Sequence, residues 1–374
     1  MQKELDVTLY DKQTTLVNFS NSVLAHFGIK TFHPDIPEIT QTMEGHKKIA
    51  VFLFDGLSEF NLSTFPHTTK FMRKHKLTTI RSVNPATTVA CTTAFLSGKF
   101  PIETGWFGWS MFFESHGFPI DVFTNLNSVT GEKLLEPNVM KTEHPYKTIA
   151  TLLSENGIKG KAMYRLPIED GLGPKDFPQM QQMCGDFFDK EGGQFLYGYW
   201  NQPDKDMHEY GIHSWHVRHE VAAIVRFVKK FTKKHPDVEV FTFADHGLID
   251  VQYRDMAAFP ELTDCLSRPL TFEGRTCNFF VKEEKKAAFP KLFAERFGES
   301  FVLLSRQDIL EKGYFGEGQA PDFALKFLGD FVAVATGTDL LVNSIDKPIS
   351  MIHIGHHAGA TKEEREVLVG CYNR

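Results

Sequence analysis

Residues 49–54, Ile-Ala-Val-Phe-Leu-Phe, form an unbroken apolar run that ends in Asp55-Gly56. A run without polar alternation cannot sit half in water, so it reads as a strand covered on both faces in a parallel sheet. Asp55 then stands at the carboxyl end of that strand, where open α/β sheets build their sites. A lone Asp-Gly is usually just a turn. The same pattern returns at 238–247, where an apolar strand ends in Asp245-His246-Gly247. Two such strand ends, with more Asp and His between and after them, point to one shared metal site.

The chain has 374 residues, 42% apolar and 24% charged, enough for a sizeable packed core. A net charge of −6 gives no basic footprint for a nucleic-acid polymer. Lys229, Lys230, Lys233 and Lys234 read as the solvated end of a helix. Cys91, Cys184, Cys265, Cys277 and Cys371 are widely spaced and form neither a disulfide framework nor a Cys-x-x-Cys zinc site. The N-terminus has no basic segment leading into an apolar core, and no apolar run reaches membrane-spanning length. A soluble, cytoplasmic protein with no membrane partner is therefore expected; the oligomeric state is left open.

Helices are expected near 16–27, 68–75, 89–97, 147–156, 178–189 and 215–234. Strands are expected at 48–54, 77–83, 159–164, 194–200 and 238–244. Helix 215–234, capped by Ser214, places Val217, Val221, Ile224, Val225, Val228 and Phe231 on one face. Strands alternating with helices predict an α/β fold with a mainly parallel central sheet flanked by helices. Residues 101–145 show no clear period and read as loop and pocket wall. From about residue 255 the pattern changes, with strands at 277–281, 301–304 and 322–327 and helices at 284–297 and 306–312. We read 255–327 as a small α/β cap inserted into a catalytic domain made of 1–254 and 328–374. The tail from 349 onward is expected to return to the main domain.

A two-metal hydrolytic site needs roughly six oxygen or nitrogen ligands around ions about 4 Å apart, with a nucleophile beside one of them. The available groups are Asp55, a threonine (Thr87 or Thr88) at a helix N-terminus, Asp204 or Asp206 with His208, Asp245 with His246, and His356 or His357. Carboxylates with imidazoles suit zinc, and manganese less well. A threonine at a helix start is ordinarily a cap, and a single histidine ordinarily a surface or hydrogen-bonded one; only the ensemble points to chemistry.

That ensemble resembles the alkaline phosphatase superfamily and, within it, the type I phosphodiesterase/nucleotide pyrophosphatase family. The matching pieces lie in 49–105, 197–211, 241–250 and 355–364. They are the strand ending in Asp55-Gly56, then Pro85-Ala86-Thr87-Thr88, then Ser97-Gly98 through Pro101 to Thr104-Gly105. Pro203-Asp204-x-x-x-His208-x-Tyr210-Gly211, Asp245-His246-Gly247 and His357-Ala358-Gly359 follow. The resemblance implies an alkaline phosphatase-like fold, two divalent ions, and hydrolysis of small phosphate esters or nucleotides. It implies that Asp204, His208 and His357 hold one ion. Asp55, Asp245 and His246 would hold the other, with Thr88 bound to it as nucleophile and a phosphothreonine later hydrolysed by water. Its motif offsets select Thr88 over Thr87, Asp204 over Asp206 and His357 over His356.

There are also departures. Relatives typically follow the nucleophile with Phe-Pro-Asn, whose Asn helps bind the phosphoryl oxygen; here Val89-Ala90-Cys91 follows, and a thiol is a weaker donor. The basic residue usual after Asp-Gly is replaced by Leu57-Ser58-Glu59, and no Cys-x-Pro-x-Arg sulfatase motif is present. Around the substrate we expect Cys91, Trp106, Trp109 and Arg165, the aromatics to stack a base or cover an ester group. A phosphate diester or nucleotide pyrophosphate is the expected substrate. The alternatives are a monoesterase or phosphonate hydrolase on the same scaffold and a non-catalytic binding protein.

Overall fold

The computed structural model describes residues 5–165, 173–346 and 352–373. At its centre is the strand Ile49–Phe54, buried along its whole length. It pairs in parallel with Phe195–Trp200 on one side and Glu239–Phe243 on the other. Gly160–Tyr164 extends the sheet beyond 195–200, again in parallel. Beyond 239–243 lie Glu366–Cys371 and then Lys76–Arg81, giving six strands. The 366–371 strand runs antiparallel to both neighbours, so it alone is reversed. The sheet is thus mainly parallel, and the tail rejoins it as a strand.

Both faces are covered. On one, helix Trp215–Lys234 lays its apolar stripe on the sheet, with the rings of Phe227 and Phe231 each 5.1 Å edge-on to Phe52. Its four late lysines point to solvent. On the other face, helices Leu16–His26 and Thr88–Ser97 pack through Phe19, whose ring lies 5.4 Å from Phe95 and 5.2 Å from Phe243. Helix 88–97 is buried on every side, which is why it has almost no amphipathic pattern.

A second, seven-stranded sheet is antiparallel throughout. In order it contains Phe301–Ser305, Phe331–Ala335, Thr276–Phe279, Thr271–Phe272, Ser110–Phe113, Phe118–Asp121 and Leu126–Asn127. Phe279, Phe289, Phe293, Phe297 and Phe301 form a separate core beneath it. Residues 255–327 share this sheet with segments at 110–127 and 331–335, and we keep the cap boundaries at 255 and 327 as a proposal.

Two expectations are corrected. Asp322–Phe327 is a helix, not a strand. Phe323, Leu325 and Phe327 alternate, but Phe323 and Phe327 also stand one helical turn apart. Over six residues the two periods cannot be told apart, and the turn begun at Pro321, whose carbonyl accepts from Ala324 N, favours the helix. Residues 101–145 are not only loop: 110–113 and 118–121 form a hairpin reversed at Gly117, which takes φ +78°. All five cysteines are buried, and the Cys371 thiol donates to Glu239 Oε1 at 2.8 Å. Among the described residues no helix is long and apolar enough to cross a membrane.

Candidate active site

The carboxyl ends of the parallel strands converge on one buried cluster. Asp55 follows strand 49–54, and Gly56 turns the chain sharply with φ +75°. A Cβ on Gly56 would lie 3.0 Å from Asp204 Cα, so the Asp-Gly pair lets a second acidic segment approach closely. Asp204 opens the short helix Asp204–Tyr210, with its N–H bonded to the Asp55 carbonyl at 3.0 Å. One turn on, His208 shares its face, with Nε2 3.4 Å from Asp204 Oδ1. The His208 Nδ1–H donates to the Gly355 carbonyl at 2.8 Å, which turns Nε2 inward.

Asp245 and His246 follow strand 239–243. Asp245 Oδ1 accepts from the N–H groups of Gly56 (3.2 Å) and His246 (3.1 Å). His246 Nε2 lies 3.5 Å from Asp55 Oδ1, 3.4 Å from Asp245 Oδ2 and 3.1 Å from the Thr88 hydroxyl. His357 arrives on the late loop, with Nε2 3.9 Å from Asp204 Oδ1 and its ring 4.0 Å from that of His246. Asp55, Asp245 and His246 bring ligand atoms close enough to share one ion, as do Asp204, His246 and His357.

The residues fit divalent metal. Asp55 Oδ1, Asp204 Oδ1 and Asp245 Oδ2 are buried without a hydrogen-bond partner, a costly state for a carboxylate unless a cation completes it. Burial first, then the Asp245 and Asp204 carboxylates, push Asp55 well above the usual carboxylate range. Burial also raises Asp245, although His246 opposes it. Burial is the largest influence on Asp204 and pushes it up, but the His208, His246 and His356 imidazoles together outweigh it and hold the carboxyl below its usual value. Burial and the neighbouring His246 depress His357 strongly, which keeps its lone pairs free for a metal.

Thr88 is the first residue of its helix and Thr87 the N-cap. Their hydroxyls diverge. That of Thr88 meets His246, whereas that of Thr87 donates to Glu273 Oε1 at 2.5 Å. Asp206 accepts from Gln202 Nε2, and His356 Nδ1 accepts from the His357 N–H; neither belongs to the two ligand groups, although the His356 ring lies 5.0 Å from that of His208. Cys91 is enclosed, with its thiol against the Pro85 carbonyl at 3.7 Å. Trp106 is 1% exposed, its indole N–H donating to the His144 carbonyl, so it belongs to the core. Trp109 is 37% exposed, with Phe123 6.1 Å away. Arg165 stacks over Trp200 at 4.2 Å and donates to Asn201 Oδ1 at 3.0 Å, beside the strand end that leads to Asp204.

Sequence reasoning assigned no role to four residues. The Tyr199 hydroxyl donates to Asp55 Oδ2; nothing in strand 195–200 marks it except its place opposite Leu53. Glu273 lies in the turn between strands 271–272 and 276–279. Its Oε1 also accepts from the Trp109 N–H at 3.0 Å, and burial raises its carboxyl to about 7 despite both donors. Arg275 and Glu364 form a buried ion pair behind the His357 loop. Of these only Glu364 left a trace, as part of the acidic segment after the His-x-Gly motif.

The type I phosphodiesterase / nucleotide pyrophosphatase family matches residues 49–337. The chain belongs to that family. Its members are metal-dependent, and this protein is a phosphoric ester hydrolase that carries candidate metal-ligand groups. The fold matches murine ectonucleotide pyrophosphatase / phosphodiesterase 5 over 87% of this chain and 88% of that one, with TM-score 0.62 and 15% identity. The human protein of the same name matches with TM-score 0.62, 13% identity and 87% of each chain. An inactive threonine-to-alanine variant of the murine protein, in complex with AMP, matches with TM-score 0.61 and 15% identity over 87% of this chain and 88% of that one. No curated protein matches the chain by sequence.

Proposed function

We propose that the protein hydrolyses phosphate diesters or nucleotide pyrophosphates, with Thr88 as the nucleophile. The observation that carries this reading is the Thr88 hydroxyl at 3.1 Å from His246 Nε2, on a helix N-terminus that faces three partnerless buried carboxylate oxygens. Asp204, His208 and His357 would hold one divalent ion and Asp55, Asp245 and His246 the other, zinc being the better match to a mixed carboxylate–imidazole set. The ions would offset negative charge on the phosphoryl group and on the attacking and leaving oxygens.

The chain's own groups account for the rest. A threonine hydroxyl is a weak nucleophile at its free pKa. His246 Nδ1 lies 3.4 Å from the Gly247 carbonyl, and a proton there leaves the Nε2 lone pair, 3.1 Å from Thr88 Oγ, for an ion that would bind both. The first N–H groups of helix 88–97 have no partner within the helix, and the positive end of its dipole favours a phosphoryl oxygen. Thr88 Oγ forms a bond to phosphorus as the ester oxygen leaves with its electron pair, and the hydroxyl proton ends on the departing alcohol. Water then cleaves the phosphothreonine and returns the hydroxyl. Trp109 offers an open ring to a nucleobase or aromatic ester. The structural relative inactivated by a threonine-to-alanine change and bound to AMP supports both the nucleophile and a nucleotide ligand.

The test joins elemental analysis to turnover. About two metals per chain are expected, with hydrolysis of bis(p-nitrophenyl) phosphate and thymidine 5′-monophosphate p-nitrophenyl ester that Thr88→Ala abolishes and Thr87→Ala does not. Faster hydrolysis of p-nitrophenyl phosphate would move the function to a monoesterase. A chain unable to bind divalent metal would sink the mechanism.

A further inference from the structure

We propose that Glu273 sets the specificity of this site, as a fixed negative charge beside the candidate nucleophile that disfavours phosphate groups carrying two charges. The proposal rests on the reading of the site given above and narrows its substrate class to singly charged phosphoryl groups.

The carboxylate is held from two sides. Its Oε1 accepts from the Thr87 hydroxyl at 2.5 Å and from the Trp109 N–H at 3.0 Å, while Oε2 accepts neither bond. One donor belongs to the residue next to Thr88, whose Cα is about 3.8 Å away along the chain. The other belongs to the exposed aromatic residue of the pocket wall. Glu273 is therefore pinned between the nucleophile segment and the face that would receive the leaving group. Both donors are neutral, so they orient the charge without cancelling it. Arg275, two residues on, is fully engaged by Glu364 and by the carbonyls of Gly337 and Asp339. Among the described residues no ion pair joins Glu273.

A phosphate diester, or the phosphate bonded within a pyrophosphate, carries one negative charge at the reacting phosphorus. A monoester or inorganic phosphate carries nearly two above pH 7. The extra charge would meet Glu273 in a water-poor site, where like charges repel far more than in bulk solvent. The same repulsion would help expel inorganic phosphate.

Glu273→Gln separates charge from geometry, because the glutamine oxygen can accept the same two bonds. At pH 8.5, above the value of about 7 for this carboxyl, the metal-loaded variant should raise kcat/KM for p-nitrophenyl phosphate about tenfold relative to bis(p-nitrophenyl) phosphate. Inorganic phosphate should inhibit it about tenfold more strongly. Glu273→Asp, which keeps the charge, should hold the wild-type ratio. A merely structural role would lower both substrates together and leave the ratio within twofold, which would overturn the proposal. Phosphate affinity by calorimetry in metal-loaded Thr88→Ala, with and without Glu273→Gln, gives the answer without turnover. Unchanged affinity there refutes the role of Glu273, whereas loss of the nucleophile reading would show instead as full activity in Thr88→Ala.

Discussion

Arg275 and Glu364 face each other as a two-pronged ion pair with no solvent access, Nε to Oε1 at 2.7 Å and Nη2 to Oε2 at 2.8 Å. The pair ties the turn after Glu273 to the loop that carries His357. Glu364 Oε1 also accepts from the Gly359 N–H at 2.7 Å, and the Glu364 carbonyl accepts from the Gly247 N–H at 2.8 Å. One acidic residue thus braces the segments just behind both His357 and His246. A Cβ on Gly359 would come within 2.5 Å of Arg275 Nη2 and 2.6 Å of Glu364 Oε2, which explains the glycine of His-x-Gly. Removing one partner of such a pair leaves a buried charge uncompensated, at about 3–5 kcal/mol. Glu364→Ala should lose that much in urea denaturation and retain less metal on dialysis. Exposed Glu284→Ala, the control, should do neither.

Metal should matter more to stability as pH rises. Asp55 and Asp245 titrate above their usual range, raised first by burial. Each therefore holds its proton more tightly folded than unfolded, so its stabilising contribution is complete at low pH. That contribution is lost as pH climbs from the ordinary carboxylate value, about 3.9, through the raised folded values. A cation replaces those protons. His357, depressed in the fold, has the opposite sign: its contribution is lost as pH falls below about 6.5. Both carboxyls must lose protons to bind metal, so the rise in Tm on adding zinc to chelated protein should be larger at pH 8 than at pH 5.5. An equal rise at both would show that these protons are not displaced.

Tyr199→Phe removes the hydroxyl that donates to Asp55 Oδ2 and leaves the ring packing in place. Loss of a bond that orients a metal ligand typically costs 10–100-fold in affinity. Competition against a chromogenic chelator should show a loss of that order, with Tm of the metal-free protein little changed.

Trp109 and Trp106 should respond differently. Trp109→Ala should raise KM for a nucleotide ester by about five- to thirtyfold, an effect of ~1–2 kcal/mol, and change bis(p-nitrophenyl) phosphate less. Trp106→Ala empties part of the core and should cost about 3–5 kcal/mol of stability. Circular dichroism melts and substrate titrations separate the two.

The central fold was legible because its strands are covered on both faces and announce themselves as unbroken apolar runs. The run 49–54 with Asp55-Gly56 and the run 238–244 with Asp245-His246 are adjacent in the sheet, so their ends meet. Asp204 and His208 were legible through the Asp-x-x-x-His motif of the resemblance, whose four-residue spacing the helix 204–210 turns into one face. What stayed hidden depends on contacts between distant segments. Glu273 lies 186 residues from Thr87, and Arg275 lies 89 from Glu364. No local periodicity records such pairs. The strand 331–335, Phe-Val-Ala-Val-Ala, went unread because it is short and Gly329 and Gly337 frame it like a loop.

The reversed strand 366–371 sits between 76–81 and 239–243, although it is made last of the six. While a ribosome is still adding that segment, strands 49–54, 160–164, 195–200 and 239–243 can already pair. The nascent sheet then ends at an open edge of Val240, Phe241 and Phe243, all buried in the finished protein. His357 also emerges late, so a nascent chain would expose this edge while one of the proposed metal ligands is still missing. Docking of strand 366–371 would then cover this edge as the proposed ligand set is completed, and a chaperone that shields the edge would also delay loading of the site.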